Sequence, residues 1–335
     1  MQYRNVELHN VCDVIEDDGK PGVGLLRLPR GILDAINPGA RDRARMGANC
    51  EIRGLLAEGA EARVKLQVLD SNTTPPVVTV YHGCFCGQSV ALGKAPAEIV
   101  IQPPATLSAL QAIARKDGHP FDPRLVRVRL PSIHTTRILA IEGGLTPPTP
   151  GTTPSKVMLC YGSSITHGAC AIPPEGTYVA QCASRLGCDV LNLGFGGSAH
   201  MDRAIAEHIA ARKDWDFATF EMGINVRDWP REKFREAVET FVRTAAAAHP
   251  DKFIFCIDLF TNDADFQAQP TRGVGFREVV ADLAGSFASG KVVHVDGRKI
   301  LTDPTGLRTD LVHPSDLGMQ EMGANLAAFI ARRLG

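Results

Sequence analysis

Between residues 157 and 333 short apolar runs alternate with longer amphipathic stretches, and no other feature of the chain constrains its fold as strongly. The runs 157–161, 190–193, 218–222, 253–259 and 292–295 are apolar nearly throughout and of strand length. The stretches 178–186, 201–212, 232–248, 277–287 and 315–333 carry their apolar residues at helical spacing. Strands without a polar face must be covered on both sides, and the intervening helices supply the cover. The expectation is a parallel sheet in a flavodoxin-like three-layer α/β/α domain. In such an open sheet the ligand crevice lies beyond the carboxyl ends of the strands, so the residues just after each strand are where chemistry belongs.

Ahead of this region the pattern changes. Residues 62–69, ARVKLQVL, alternate with period two, and 77–80, 97–101 and 125–130 add β-branched runs between turn signals. Residues 1–142 therefore predict an all-β, jelly-roll-like antiparallel sandwich. Residues 143–155, GGLTPPTPGTTPS, read as a semi-rigid linker, and 156–335 as the α/β domain. A chain of 335 residues is long enough for two cores.

Lys and Arg number 36 against 37 Asp and Glu, a balance that argues against nucleic-acid or membrane-surface binding driven by charge. Residues 1–19 contain no apolar h-region, and no stretch approaches a membrane span in length. The nine cysteines lie mostly in apolar surroundings, as at Cys160, Cys182 and Cys256, and fit a reducing compartment, so a cytoplasmic location is expected. Cys84 and Cys86 form a close pair without a second pair at zinc-site spacing, and no metal is expected.

Three strand ends are rich in reactive or polar residues: Gly162-Ser163-Ser164-Ile165-Thr166, then Asn192-Leu193-Gly194-Phe195-Gly196-Gly197-Ser198, then Gly223-Ile224-Asn225. Asp310-Leu311-Val312-His313-Pro314 precedes the last helix. A serine hydroxyl needs a base to take its proton, a histidine serves near neutral pH, and that histidine needs an acceptor on its other nitrogen. Asp310 and His313 are close enough in sequence to meet in one turn. Attack on an ester creates an oxyanion, which the Ser164 and Gly197 N–H groups and the Asn225 amide can receive. Taken singly, Ser163 and Ser164 also read as turn or N-cap residues and Asn225 as a loop residue. Their occurrence in one order at successive strand ends favours the catalytic reading.

These four blocks, Gly-x-Ser, Gly, Asn and Asp-x-x-His, resemble those of the SGNH hydrolases, the GDSL-type esterases. The GSSIT variant followed by NLGFGG is similar to the two-domain carbohydrate esterases with an N-terminal β-sandwich. The resemblance implies Ser164 as nucleophile, His313 as base, Asp310 as its orienter, and Ser164, Gly197 and Asn225 as the oxyanion hole. It implies a carboxylic ester hydrolase with no cofactor, acting on a short acyl group, acetyl above all, of an oligosaccharide or other small-molecule polyol. Two positions depart from the pattern: Ser163 replaces the usual Asp before the nucleophile, and Val226 the usual Asp after the block-three Asn. His167 and His200 are expected in the wall of the substrate pocket, and Tyr178 and Glu221 in packing roles.

Other readings lead elsewhere. The same triad serves a thioesterase, or an acyltransferase with a non-sugar substrate. Residues 194–199 match the G-x-G-x-x-A dinucleotide fingerprint, which would make the chain an oxidoreductase. Asp214 and Asp216 fall at the right distance for its acidic partner but before the third strand, and Glu221 falls late. A carbohydrate-binding protein on a catalytically dead hydrolase fold is a third class.

Overall fold

In the computed structural model, which describes residues 1–72 and 74–335, the five apolar runs form one parallel sheet. Its strands are Val157–Gly162, Asp189–Gly194, Phe217–Glu221, Phe253–Ile257 and Val292–Val295. In space they run second, first, third, fourth, fifth. The first strand thus lies between the second and third, and the crevice opens at this reversal of strand order.

Side chains along the first strand alternate between two cores. Leu159 and Tyr161 join helices Arg203–Ala211, Arg231–Ala248 and Phe276–Gly285 on one face. Met158 and Cys160 join helices Tyr178–Leu186 and Asp316–Leu334 on the other. Both faces are therefore apolar, as the uninterrupted runs required.

The N-terminal part is built on antiparallel sheets and, unlike the all-β expectation, also carries an α-helix, Leu107–Asp117. One sheet carries, in spatial order, Gln2–Tyr3, Val6–His9, Glu51–Leu56, Leu125–Arg129, Val77–His82 and Phe85–Ala91. The other carries Thr136–Gly143, Ala62–Val68 and Ala97–Ile101. Val64 and Leu66 of one sheet share a core with Val80 and Val128 of the other.

Two segments have a more intimate place than their sequence suggested. Ile15, Leu26, Leu28, Leu33, Ile36 and Ala40 pack into the same core as helix Arg203–Ala211 of the α/β part. Within the Pro-rich stretch 143–155, Leu145 and Thr146 form a short strand on Glu51–Leu56. Prolines and glycines at 21, 22, 24, 29, 31, 38 and 39 keep the first of these segments from extending into a sandwich strand. It instead supplies a two-stranded ribbon and the helix Pro38–Arg43.

Buried charge joins the two parts. Arg53 donates from Nη1 and Nη2 to the Asp189 carboxylate at 2.6 and 2.8 Å and from Nε to Glu51 at 2.7 Å. Arg127 and Arg129 bind the same Glu51. Burial alone would raise the Asp189 and Glu51 pKa values, but the adjacent arginines outweigh it and hold both carboxyls well below the usual range. Arg27 makes a different tie. Fully buried, it donates to the carbonyls of Arg43, Met46, Asn192 and Gly194 at 2.7–2.9 Å, and burial lowers its pKa to about 10. This guanidinium holds the Pro38–Arg43 helix against the end of the second parallel strand.

Candidate active site

Ser164 opens a one-turn helix, Ser164–His167, directly after the first parallel strand. Ser163 caps that turn, its Oγ accepting from the Ile165 N–H at 3.2 Å, and Gly168 ends it at φ +97°. Beneath the turn lies Glu221, at the end of the third strand. It is 1 % exposed and accepts from the Ser163 N–H at 2.6 Å and the Thr166 hydroxyl at 3.1 Å. Tyr178 completes this cluster with a 2.7 Å bond to Thr166 Oγ1. Burial raises the Glu221 pKa against the pull of these donors. Glu221 and Tyr178 thus hold the backbone that presents Ser164.

The loop before the last helix supplies the other groups. Asp310 Oδ1 accepts from the Val312 and His313 N–H groups at 3.0 and 2.9 Å, and Oδ2 accepts from His313 Nδ1 at 2.7 Å. Leu311 takes φ +54° to make this tight turn, and the Arg308 N–H closes it on the His313 carbonyl at 2.8 Å. With the Nδ1 proton directed at Asp310, Nε2 is left as an acceptor, and Ser164 Oγ donates to it at 2.8 Å. Burial would raise the Asp310 pKa, but the hydrogen bonds from His313 and Val312 outweigh it and lower it.

The donors expected for an oxyanion face the same cavity. Among the described residues, the N–H groups of Ser164 and Gly197 have no acceptor. Gly197 stands at φ +69° after the second strand, a backbone conformation that glycine adopts without strain. Asn225 lies in the one-turn helix Ile224–Val226 after the third strand. Its Oδ1 accepts from the Ala199 N–H at 3.1 Å, which orients the amide and leaves Nδ2 as a free donor.

His167 lines this cavity, fully buried, with Nδ1 accepting from the Gly196 N–H at 3.1 Å. Burial, then the charges of Arg27 and Arg43, push its pKa well below the ordinary histidine value, so it stays neutral and fixes the Gly196–Gly197 turn. His200 is not among the residues lining the cavity. Its ring lies instead beside that of Trp229, with the two centroids 5.7 Å apart. The Gly194–Ala199 loop lies against the Ser164 turn, and a side chain at Gly194 would overlap the His167 backbone. The next helix begins only at Arg203, so this loop does not open a helix onto a pyrophosphate as the dinucleotide reading requires.

The cavity measures about 570 Å³ and is walled from both parts of the chain. Arg43, Thr74 and Ile133 come from the N-terminal part, and Arg227 and Arg308 from the loops around the triad. Sequence reasoning did not single these residues out. For Arg308 the signal was its position beside Asp310; for the N-terminal residues there was none, since only the tertiary fold brings them to Ser164. A serine hydroxyl bonded to a carboxylate-oriented imidazole, beside unpaired N–H donors, is an arrangement for acyl transfer.

A model of the GDSL-like lipase/acylhydrolase family matches residues 155–331. The chain is similar in structure to a salicylyl-acyltransferase, SsfX3, from a tetracycline biosynthetic pathway, at TM-score 0.80 and 18% identity over 98% of this chain and 95% of that one. It is similar to a GDSL-like lipase from Bacteroides ovatus at TM-score 0.72 and 17% identity, over 98% and 97%. A family two carbohydrate esterase from Clostridium thermocellum gives TM-score 0.59 and 14% identity, over 87% and 93%. At such identities the likeness is one of fold: a parallel α/β domain preceded by antiparallel sheets. No curated protein matches the chain. The family model spans more than half of the 335 residues, and the chain belongs to the GDSL-like lipase/acylhydrolase family, a family of ester hydrolases.

Proposed function

We propose that the protein is a serine esterase that removes a short acyl group, acetyl above all, from a carbohydrate or other small polyol. One observation carries this reading: Ser164, His313 and Asp310 form a continuous hydrogen-bonded chain at 2.8 and 2.7 Å on the wall of a cavity. His313 takes the Ser164 proton as Oγ attacks the ester carbon. The oxyanion rests on the Ser164 and Gly197 N–H groups and the Asn225 Nδ2. His313 then passes its proton to the departing alcohol, and Asp310 stabilises the transient imidazolium. Water activated by His313 releases the acid and restores Ser164. No step requires a cofactor.

The polyol substrate is supported by the likeness of fold, over 87% of this chain, to the Clostridium thermocellum enzyme, which is a carbohydrate esterase. Residues 1–142 then act as the accessory part, 143–155 as its connection and 156–335 as the catalytic part. Acyl transfer to an alcohol is a second reading, favoured by the likeness to a salicylyl-acyltransferase over 98% of this chain. It uses the same acyl-enzyme and differs only in what attacks it. Incubation with acetylated oligosaccharides and with p-nitrophenyl esters of increasing chain length tests the proposal. Acetate release from the sugar and a preference for short chains are expected. A preference for long chains, or acyl transfer outrunning hydrolysis when an alcohol is added, would overturn it.

A further inference from the structure

The charge of the cavity wall identifies a substrate property that the triad leaves open. Three guanidinium groups line the cavity, from Arg43, Arg227 and Arg308, and its one carboxylate, Asp310, is already bound to His313. Among the described residues the side chains of Arg43 and Arg308 have neither a hydrogen-bond nor an ion-pair partner. Arg227 is 7 % exposed and pairs through Nη1 with Asn262 and Asp263, while its buried Nε has no partner.

The position of Arg308 gives the excess charge a direction. His313 must deliver its proton to the departing oxygen, so the alcohol half of the ester lies toward the 308–313 turn. Arg308 belongs to that turn and its charge reaches Cys170; Arg43, from the Pro38–Arg43 helix, exerts its charge on His167. The two free guanidiniums stand on the wall of the same cavity as His167 and Cys170, which belong to the segment that leaves the nucleophile turn. Unpaired arginines held on a cavity wall are matched by a ligand that brings the missing acceptor, a carboxylate or a phosphate.

We propose that the alcohol half of the substrate carries an anionic group, a carboxylate or phosphate, received by Arg308 and Arg43. The physiological substrate is then the acyl ester of an acidic polyol, such as a sugar acid or sugar phosphate. The proposal rests on the esterase reading above and narrows it. It also gives the N-terminal part a function, since Arg27 ties the helix that ends at Arg43 to Asn192 and Gly194.

The test compares matched esters at low and high salt. 4-Acetoxybenzoate and its neutral methyl ester differ only in charge on the alcohol side; phenyl hydrogen succinate and phenyl methyl succinate differ only on the acyl side. We expect kcat/KM for 4-acetoxybenzoate to exceed that for its methyl ester by about ten-fold or more, as charge-assisted bonds to arginine allow, and the ratio to shrink as salt screens it. In Arg308→Gln the ratio should fall toward one, and in Arg308→Glu it should invert; Arg308 is exposed, so neither change threatens folding. Glycerol phosphate acetylated on a hydroxyl, set against acetylated glycerate, distinguishes phosphate from carboxylate as the anion. Equal rates for the charged and neutral benzoates, or a charge preference confined to the succinates, would overturn the proposal while Ser164-dependent hydrolysis of the neutral ester upheld the esterase reading. Loss of Ser164-dependent turnover on every ester would remove both.

Discussion

Two assemblies of charge in this protein use the same residue types in opposite ways. At the seam between the N-terminal part and the parallel sheet, Glu51 and Arg53 are each 1 % exposed and Asp189 7 %, and every carboxylate there is saturated by guanidinium. At the active site, His313 and Asp310 are 26 % and 48 % exposed, and the outer end of their chain is a hydroxyl aimed into a cavity. Each carboxylate oxygen of Glu51 and Asp189 accepts from an arginine. The site is open enough for substrate and water to enter, and its hydrogen bonds are local: Asp310 binds three atoms within the next three residues. Loss of a seam charge should therefore cost stability, and loss of a site group should cost rate.

Asp310→Asn is the strongest way to break this contrast. With Oδ1 kept by the Val312 and His313 N–H groups, the new amide nitrogen donates toward His313 Nδ1 and imposes the wrong tautomer. The kcat should therefore fall by about 10⁴ as in other triads, while the unfolding free energy changes by less than about 0.5 kcal/mol, as at other exposed sites. A comparable loss of stability would mean that the 308–313 turn is structural. Arg53→Ala is the converse. It strands Asp189 as a buried anion without its guanidinium, while Glu51 keeps Arg127 and Arg129, and denaturant unfolding should report a loss of about 3–5 kcal/mol. A cost of a few tenths would show that the seam is hydrated.

Asn225→Ala sharpens the site's half of the comparison. Removing one oxyanion donor should lower kcat by about 10²–10³ with little change in KM. A change in KM alone would assign the amide to ground-state binding. The mildest test is acid. Glu51 and Asp189 have folded pKa values below their unfolded ones, so the native state binds fewer protons. Their stabilisation is present above the unfolded carboxylate pKa, about 4, and is lost as pH falls below it toward the folded values. The stability gap between wild type and Arg53→Ala should narrow as pH is lowered through that range; a gap independent of pH would contradict the ionic account of the seam.

The same contrast explains what could be read in the sequence. The parallel strands were legible because both of their faces are buried, which leaves runs such as Phe253–Ile257 without a polar interruption. Ser164, Gly197 and Asn225 were legible because topology requires function at strand ends, and Asp310 with His313 because three residues of turn suffice to join them. The seam was not legible. Arg53 and Asp189 are 136 positions apart, and a buried arginine looks in sequence like a surface one. Arg43 and Ile133 enter the cavity for the same long-range reason. His200 shows the limit of arguing from loop position: it follows the same strand as Gly197, yet its ring meets Trp229 and does not line the cavity.

The most direct test of the central claim is the intact mass of the protein after exposure to a fluorophosphonate, with p-nitrophenyl acetate turnover followed in parallel, for wild type and Ser164→Ala. A single adduct on the wild type, none on the variant, and a rate reduced by about 10³-fold or more are the predicted results. An adduct that persists in Ser164→Ala, or an unchanged rate, would contradict the assignment of Ser164 as the nucleophile and with it the mechanism proposed for this cavity.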